Sequence, residues 1–174
     1  LSSVIKQIQA RYSVDPKRIF LFGHSNGAFM SYRMACDHAD QIAAIASLAG
    51  AMYQDVSKCQ PSGPVSVLEI HGTGDTVIPY AGGFIGVNAF PSAKASVSDW
   101  ATFDGCATPG DGSGAPLDLD ATLFGSETTV LDYEGCKSGS AVALWSIQFG
   151  LHVPTFNPSF IPAVLDFLYA HPKP

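Results

Sequence analysis

Ile19-Phe20-Leu21-Phe22-Gly23-His24-Ser25-Asn26-Gly27 decides how the rest of this chain is read. Ile19 to Phe22 is an apolar run of the length of one buried strand. Gly23 to Gly27 is a turn, and Ala28-Phe29-Met30-Ser31-Tyr32-Arg33-Met34-Ala35 then reads as helix. Strand, tight turn and helix with G-x-S-x-G at the corner make a nucleophile elbow. The spacing has a steric reason: a serine on so sharp a turn is strained, and the residues two before and two after are expected to be small so that strand and helix can approach. The turn lifts the serine Oγ out of the sheet and aims the free N–H groups of a helix start at developing negative charge. The same five residues also occur as a plain glycine-rich turn; their position between an apolar run and a helical pattern is what favours the elbow.

The 174 residues are enough for one domain with a substantial core. Hydrophobic residues make up 47% and charged residues 14%, which argues against disorder and for a surface more polar than ionic. A net charge of -6 argues against nucleic acid or an anionic membrane as partner, and no apolar run has the length of a membrane span. Leu1 to Arg11 lacks the features of a signal peptide and reads as an amphipathic helix. Cys36, Cys59, Cys106 and Cys136 have no C-x-x-C spacing, which disfavours zinc. Four cysteines allow three pairings or four buried thiols; Cys36–Cys59 with Cys106–Cys136 is preferred because each closes a local unit, and disulfides imply secretion into an oxidising compartment.

From the N-terminus, Ser2 or Ser3 is expected to cap a helix carrying Val4, Ile5, Ile8 and Tyr12. After the elbow helix, which ends near Cys36 to His38, the stretch from Gln41 to Gly50 reads as a second buried strand, completing a β-α-β unit with parallel strands. Ala51 to Pro64 is a loop, and Val65 to Ile70 a third strand that ends at His71-Gly72-Thr73-Gly74-Asp75. Pro91 to Phe103 reads as helix. Thr108 to Gly125 reads as a long surface loop. Thr128 to Tyr133 and Ala141 to Ile147 read as strands, and a closing helix is expected from about Pro158 to Tyr169, with Pro162 in its first turns. No repeat or domain boundary interrupts the chain.

Acyl transfer needs a nucleophile, a base, a group that orients the base, and oxyanion donors. Ser25 supplies the first. In α/β-hydrolases the order is Ser, then Asp or Glu, then His. His152, on the loop after the last strand, is the expected base; His171 lies in a proline-rich tail expected to fray. Asp75 stands just past the C-terminal end of a buried strand, where open α/β sheets place their sites, and is the expected acid. Asp132, within the Thr128–Tyr133 strand, is the competitor, read otherwise as an exposed edge-strand carboxylate. Asn26 N–H is the expected oxyanion donor. His24 is read as a packing residue, His71 as a strand-end residue satisfied by backbone, and Lys17 and Arg18 as solvated. Phe29, Met30, Tyr80 and Phe149 are candidates for an apolar acyl wall. The chemistry needs no cofactor, and no cluster suggests a metal.

Gly23-His-Ser-Asn-Gly27 with Met30-Ser31, Leu48-Ala49-Gly50, His71-Gly-Thr-Gly-Asp75 with Val77-Ile78-Pro79-Tyr80, Trp100 before Gly105-Cys106, and the late Gly150-Leu151-His152 together resemble the extracellular polyhydroxybutyrate depolymerase and feruloyl esterase group. The resemblance runs from about Arg11 to Pro154. It implies a secreted α/β-hydrolase acting on polyester, feruloyl or acetyl esters, with Ser25 as nucleophile, Asp75 as acid and His152 as base, and it supports the sequential disulfides. Two departures stand out. The group usually has Gly-Gly-His followed by Trp-Pro, where this chain has Gly150-Leu151-His152-Val153-Pro154. Its N-terminal strands, with a His-Gly loop that donates half the oxyanion hole, precede the elbow by roughly a hundred residues. This chain begins one helix before the elbow.

The expectation is therefore an α/β fold of the α/β-hydrolase type, a mostly parallel sheet with flanking helices, reduced or truncated at its N-terminus and forming one domain over residues 1–174. The function expected is a secreted serine carboxylic-ester hydrolase working through an acyl-enzyme, with a soluble or polymeric ester as partner and neither nucleic acid nor membrane. Apolar surface left by absent strands makes self-association an expectation as well. The alternatives are a non-catalytic remnant and a serine peptidase of the same fold.

Overall fold

The computed structural model describes residues 1–107 and 114–174. Six strands form one sheet: β1 (Phe20–His24), β2 (Ala44–Leu48), β3 (Ser66–Gly72), β6 (Gly114–Leu117), β7 (Thr128–Tyr133) and β8 (Val142–Ile147), in the order β1-β2-β3-β8-β7-β6. The first four in that order are parallel; β7 is antiparallel to β8, and β6 is antiparallel to β7. The helices are α1 (Ser2–Arg11), α2 (Asn26–Asp37), α3 (Ala93–Phe103) and α4 (Phe160–Ala170). This is the mostly parallel, helix-flanked α/β sheet that the strand and helix patterns lead one to expect.

Two apolar layers explain why the strands read as nearly continuous hydrophobic runs. Every residue of β2, β3 and β8 is buried, because each strand is covered on both faces. On one face Ile45, Val67 and Leu144 pack with Tyr32 of α2 and Trp100 of α3. On the other, Ala46, Leu68, Ile70 and Ile147 pack with Phe160, Val164 and Leu168 of α4. Trp100 is fully buried and its indole N–H donates to the Val65 carbonyl at 2.7 Å, so its one polar atom is satisfied.

Both disulfides are the sequential ones. Cys36 at the end of α2 joins Cys59, and Cys106 after α3 joins Cys136. The closed loops of 23 and 30 residues correspond to about 3–4 kcal/mol each through restriction of the unfolded chain.

Three expectations are corrected, and one hairpin is added to them. The N-cap of α1 is Leu1, without a side-chain cap bond, and Ser2 Oγ donates instead to Gln41. The stretch read as a surface loop supplies β6, the buried Leu119 and the buried Asp120, whose carboxylate accepts from Thr122 N–H and hydroxyl; residues 108–113 of it lie outside the described residues. A two-stranded hairpin, β4 (Gly83–Ile85) with β5 (Asn88–Phe90), follows Tyr80 and carries no long apolar run to announce it. The C-terminal tail is pinned, not frayed: His171 Nδ1 donates to the Phe167 carbonyl at 2.7 Å and Lys173 N–H to Lys17.

No helix among the described residues is long and apolar enough to cross a membrane.

Candidate active site

The C-terminal ends of β1, β3 and β8 bring three segments together. The first is the elbow. Ser25 stands at φ 55° and ψ -119°, a left-handed conformation that costs a non-glycine residue about 1–3 kcal/mol and persists only where surroundings enforce it. They do: Ser25 N–H donates to Leu48 O at 2.8 Å, and Ala28 and Phe29 N–H donate back to Ser25 O. The N–H groups of Asn26 and Gly27 open α2 and have no carbonyl a turn behind them.

The two elbow glycines are not equivalent. A Cβ at Gly23 would lie 2.1 Å from the Gly27 carbonyl oxygen, which enforces the close approach of β1 and α2. A Cβ at Gly27 would meet nothing within 4 Å among the described residues, so the steric requirement expected there is absent. Gly50 takes its place in the packing: a Cβ there would lie 2.4 Å from the Ala28 side chain.

The second segment is the turn after β3. Asp75 is buried, and its Oδ1 accepts from Val77 and Ile78 N–H at 2.8 Å each. The third is the loop after β8, held against the second by glycines: a Cβ at Gly72 would lie 2.2 Å from Gly150 O, and Gly74 N–H donates to that same oxygen at 2.9 Å. Phe149, at φ 63°, turns the chain so that His152 faces back over the sheet, and Phe149 N–H donates to Thr73 Oγ1 at 2.8 Å. His152 Nδ1–H donates to Asp75 Oδ2 at 2.7 Å. Donation from Nδ1 fixes the tautomer, so the lone pair of the neutral ring is on Nε2, which has no protein partner among the described residues. The structure thus joins Asp75 to His152 and leaves Asp132 elsewhere, exposed on β7. Asp132 is not on an edge strand, since β6 and β8 flank β7.

His24 is not the packing residue it was expected to be. It is exposed, its ring lies 4.8 Å from that of His152, and its Nε2–H donates to the His152 carbonyl at 2.8 Å. The elbow therefore also holds the histidine loop. Of the apolar candidates, Phe29 and Met30 line a cavity of about 230 Å³ that opens beside Asn26 and is completed by Met52, Tyr53 and Arg33. Phe149 is 81% exposed, and the half-buried Tyr80 spends its hydroxyl on Ser146 Oγ at 2.7 Å.

One buried polar pair is not among the expected site residues. Glu69, on β3, is completely buried, and His71 beside it on the same face is nearly so. The signal was present, since a lone carboxylate in the middle of a strand buried on both faces is anomalous. His71 does meet backbone, as expected, with Nε2–H donating to Ile78 O at 2.8 Å, but its Nδ1 also lies 3.1 Å from Glu69 Oε1.

The phospholipase/carboxylesterase family matches over residues 1–100, more than half of the chain. The chain belongs to that family. A feruloyl esterase B of Piromyces equi is 35% identical over 85% of this chain and 27% of its own length. A probable feruloyl esterase C of Aspergillus clavatus is 33% identical over 71% of this chain and 52% of its own length. An acetyl xylan esterase from Aspergillus awamori has a similar fold, with a TM-score of 0.64 at 14% identity over 97% of this chain and 65% of that one. The chain spans about half the length, or less, of these curated relatives. The relationship runs to feruloyl and acetyl esterases and does not single out polyhydroxybutyrate depolymerases.

Proposed function

We propose that the protein is a serine carboxylic-ester hydrolase working through an acyl-enzyme. The observation that carries this reading is the 2.7 Å bond from His152 Nδ1 to a buried Asp75, formed on the loops that flank the Ser25 elbow. In this reading Ser25 Oγ attacks the ester carbonyl while His152 Nε2 takes its proton. Asp75 orients the ring and stabilises the imidazolium. The Asn26 N–H receives the oxyanion; a donor of this kind is worth about 3–4 kcal/mol. The imidazolium then protonates the leaving alcohol, and a water activated by the same nitrogen hydrolyses the acyl-enzyme.

For substrate, the apolar cavity beside Asn26, rimmed by Tyr53 and Arg33, favours an acyl group with an aromatic or short aliphatic body, which is consistent with the names of the relatives. Acetyl, feruloyl and polyhydroxyalkanoate esters are the classes proposed, on soluble or polymeric carriers. Two disulfides support an extracellular setting. We propose one catalytic domain across the described residues, and self-association through the β1 edge, where Phe22 is 45% exposed. Light scattering at increasing concentration tests the latter, and a constant monomer mass refutes it.

Hydrolysis of p-nitrophenyl acetate, p-nitrophenyl butyrate and methyl ferulate beside the Ser25→Ala variant tests the reaction. Turnover that vanishes in the variant supports it. Equal background rates in both refute an active site within this chain. Cleavage of an anilide faster than the matching ester would favour a peptidase.

A further inference from the structure

The buried carboxylate of Glu69 has no part in the chemistry proposed above, yet a carboxylate in a hydrophobic layer is costly unless something compensates it. It sits on β3 between Ser47 of β2 and Leu144 of β8, under Tyr32 of α2. Its Oε1 meets His71 Nδ1 at 3.1 Å, whereas Oε2, Tyr32 Oη and Ser47 Oγ are each without a hydrogen bond of standard geometry, although both hydroxyls lie near enough to influence Glu69.

The proton inventory of this cluster can be worked out from its partners. The Ile78 carbonyl can only accept, so His71 Nε2 carries a proton. One further proton lies between Nδ1 and Glu69: either Nδ1–H donates to a carboxylate, or a protonated Glu69 donates to a neutral ring. Burial pushes Glu69 up, and its contacts with His71, Ser47 and Tyr32 recover only part of that. Burial also pulls His71 down, but the hydrogen bond and charge of Glu69, the Ile78 carbonyl and Asp75 outweigh it, and the net direction is up. The direction common to both is that the pair keeps its shared proton at neutral pH.

What makes the cluster more than an isolated core pair is its far end. His71 Nε2 lies 3.5 Å from Asp75 Oδ2, the oxygen that His152 uses, and its hydrogen bond to Ile78 O holds the turn whose N–H groups grip Asp75 Oδ1.

Resting on the proposed Ser25–His152–Asp75 assignment, we propose that Glu69 and His71 are positioning residues, a buried carboxylate–imidazole pair that holds the Asp75 turn and, through its proton, sets how strongly Asp75 acts on His152. The groups facing this path are Tyr32 from α2, Ser47 from β2, Tyr80 from the segment after β3, whose ring is 5.6 Å from that of His71, and Ser146 from β8, bonded to Tyr80. His152 itself faces Asp75 and His24.

The sign follows from charge. In this account the Asp75 carboxylate, 3.5 Å from Nε2, keeps the shared proton on the ring of His71, and in Glu69→Gln that ring loses its anionic partner and binds the extra proton less well. Asp75 then loses a neighbouring positive charge, and its full negative charge acts on His152. The His152 imidazolium is favoured, so its titration midpoint rises. The test is nitrogen NMR of histidine-labelled protein, parent and Glu69→Gln, following the His152 ring from pH 5 to pH 9, together with kcat and KM on p-nitrophenyl acetate over the same range. The expected result is an upward move of the His152 midpoint and of the acid limb of kcat/KM by about half a unit or more. A kcat reduced about tenfold with KM changed less than twofold should accompany it. Tyr32→Phe, which keeps the core filled and removes only a hydroxyl facing Glu69, should move the midpoint in the same direction by less, and serves if Glu69→Gln does not fold. A midpoint and limb superimposable on the parent in the folded variants, with kcat unchanged, would overturn the proposal and leave Glu69 as core filling. The NMR midpoint does not depend on turnover. A parent without esterase activity would sink the functional reading while the midpoint still decides this one.

Discussion

A methyl group added at Gly23 tests the elbow geometry more sharply than removal of the serine does, because it leaves every reacting group in place. The alanine Cβ would stand 2.1 Å from Gly27 O, 2.3 Å from Gly27 C and 2.7 Å from Ala28 N. All three are backbone atoms of the first turn of α2, so no side-chain rotation relieves the clash. A comfortable contact of about 3.5 Å requires β1 and α2 to part by about 1.4 Å at the Gly27 oxygen. Overpacking on this scale costs about 1–3 kcal/mol, which for a domain of this length is a fall in Tm of roughly 3–10 °C. Because Ser25 is the junction between β1 and α2, parting them shifts it against the hold of Leu48 O on β2, and a displacement of about 1 Å costs about 100-fold in rate. Gly27→Ala is the matched control, since its Cβ would meet nothing within 4 Å and a helical alanine gains up to about 1 kcal/mol over glycine. Calorimetry and kcat/KM on p-nitrophenyl butyrate measure both variants. Parental Tm and rate in Gly23→Ala, or equal damage in Gly27→Ala, would refute the steric account.

Three further predictions concern the scaffold. Asp104 is buried with neither carboxylate oxygen in a standard hydrogen bond, and burial raises its pKa from 3.8 to about 6 against the pull of Ser140, Val65, Lys137 and Lys173. The folded state therefore binds a proton that the unfolded chain has released between those values. This contribution is complete below about pH 4 and lost as pH rises through about 6. Asp104→Asn should accordingly unfold less readily than the parent at pH 8, by up to about 3 kcal/mol, with the advantage vanishing near pH 4 in urea titrations. Replacing Cys106 and Cys136 together by serine should lower stability by about 3–4 kcal/mol, and a loss under 1 kcal/mol would contradict a cross-link acting on the unfolded chain. Trp100→Phe leaves the Val65 carbonyl without its 2.7 Å donor and a void beside Tyr32, so a loss of about 1–3 kcal/mol is expected by the same titration.

The parts of this molecule that were legible in the sequence share a cause: a local pattern tied to a chain direction. The apolar run before Gly23 and the helix after Gly27 gave β1, α2 and the strained serine. Strand ends followed by glycines marked both Asp75 and His152, and the structure brings these two within 2.7 Å although 77 residues separate them. What stayed illegible depends on contacts that no local pattern encodes. Thr108 to Gly125 reads as loop by composition, but Leu119 is buried against the α4 side of the sheet, and tertiary packing overrides the glycines and prolines. His24 looked like a neighbour of the nucleophile awaiting a core, and only the arrival of the His152 loop gives its N–H a carbonyl. His171 looked free because Pro172 and Pro174 follow it; a carbonyl one helical turn back holds it. Glu69 lies inside a short strand pattern that does not say which side chains it meets. Its partner His71 was visible only as a motif residue, and the link from one to the other lies in the pleat of β3.

Covalent labelling tests the central assignment most directly. Incubation with a small fluorophosphonate, followed by peptide mass spectrometry, is predicted to place a single adduct on Ser25. The rate of labelling should fall at least about 1,000-fold in His152→Ala and by a similar order in Asp75→Asn, because in the proposed mechanism each leaves the serine without an oriented base. Absence of an adduct on Ser25 in the folded parent, or labelling that proceeds unchanged in both variants, would contradict the account.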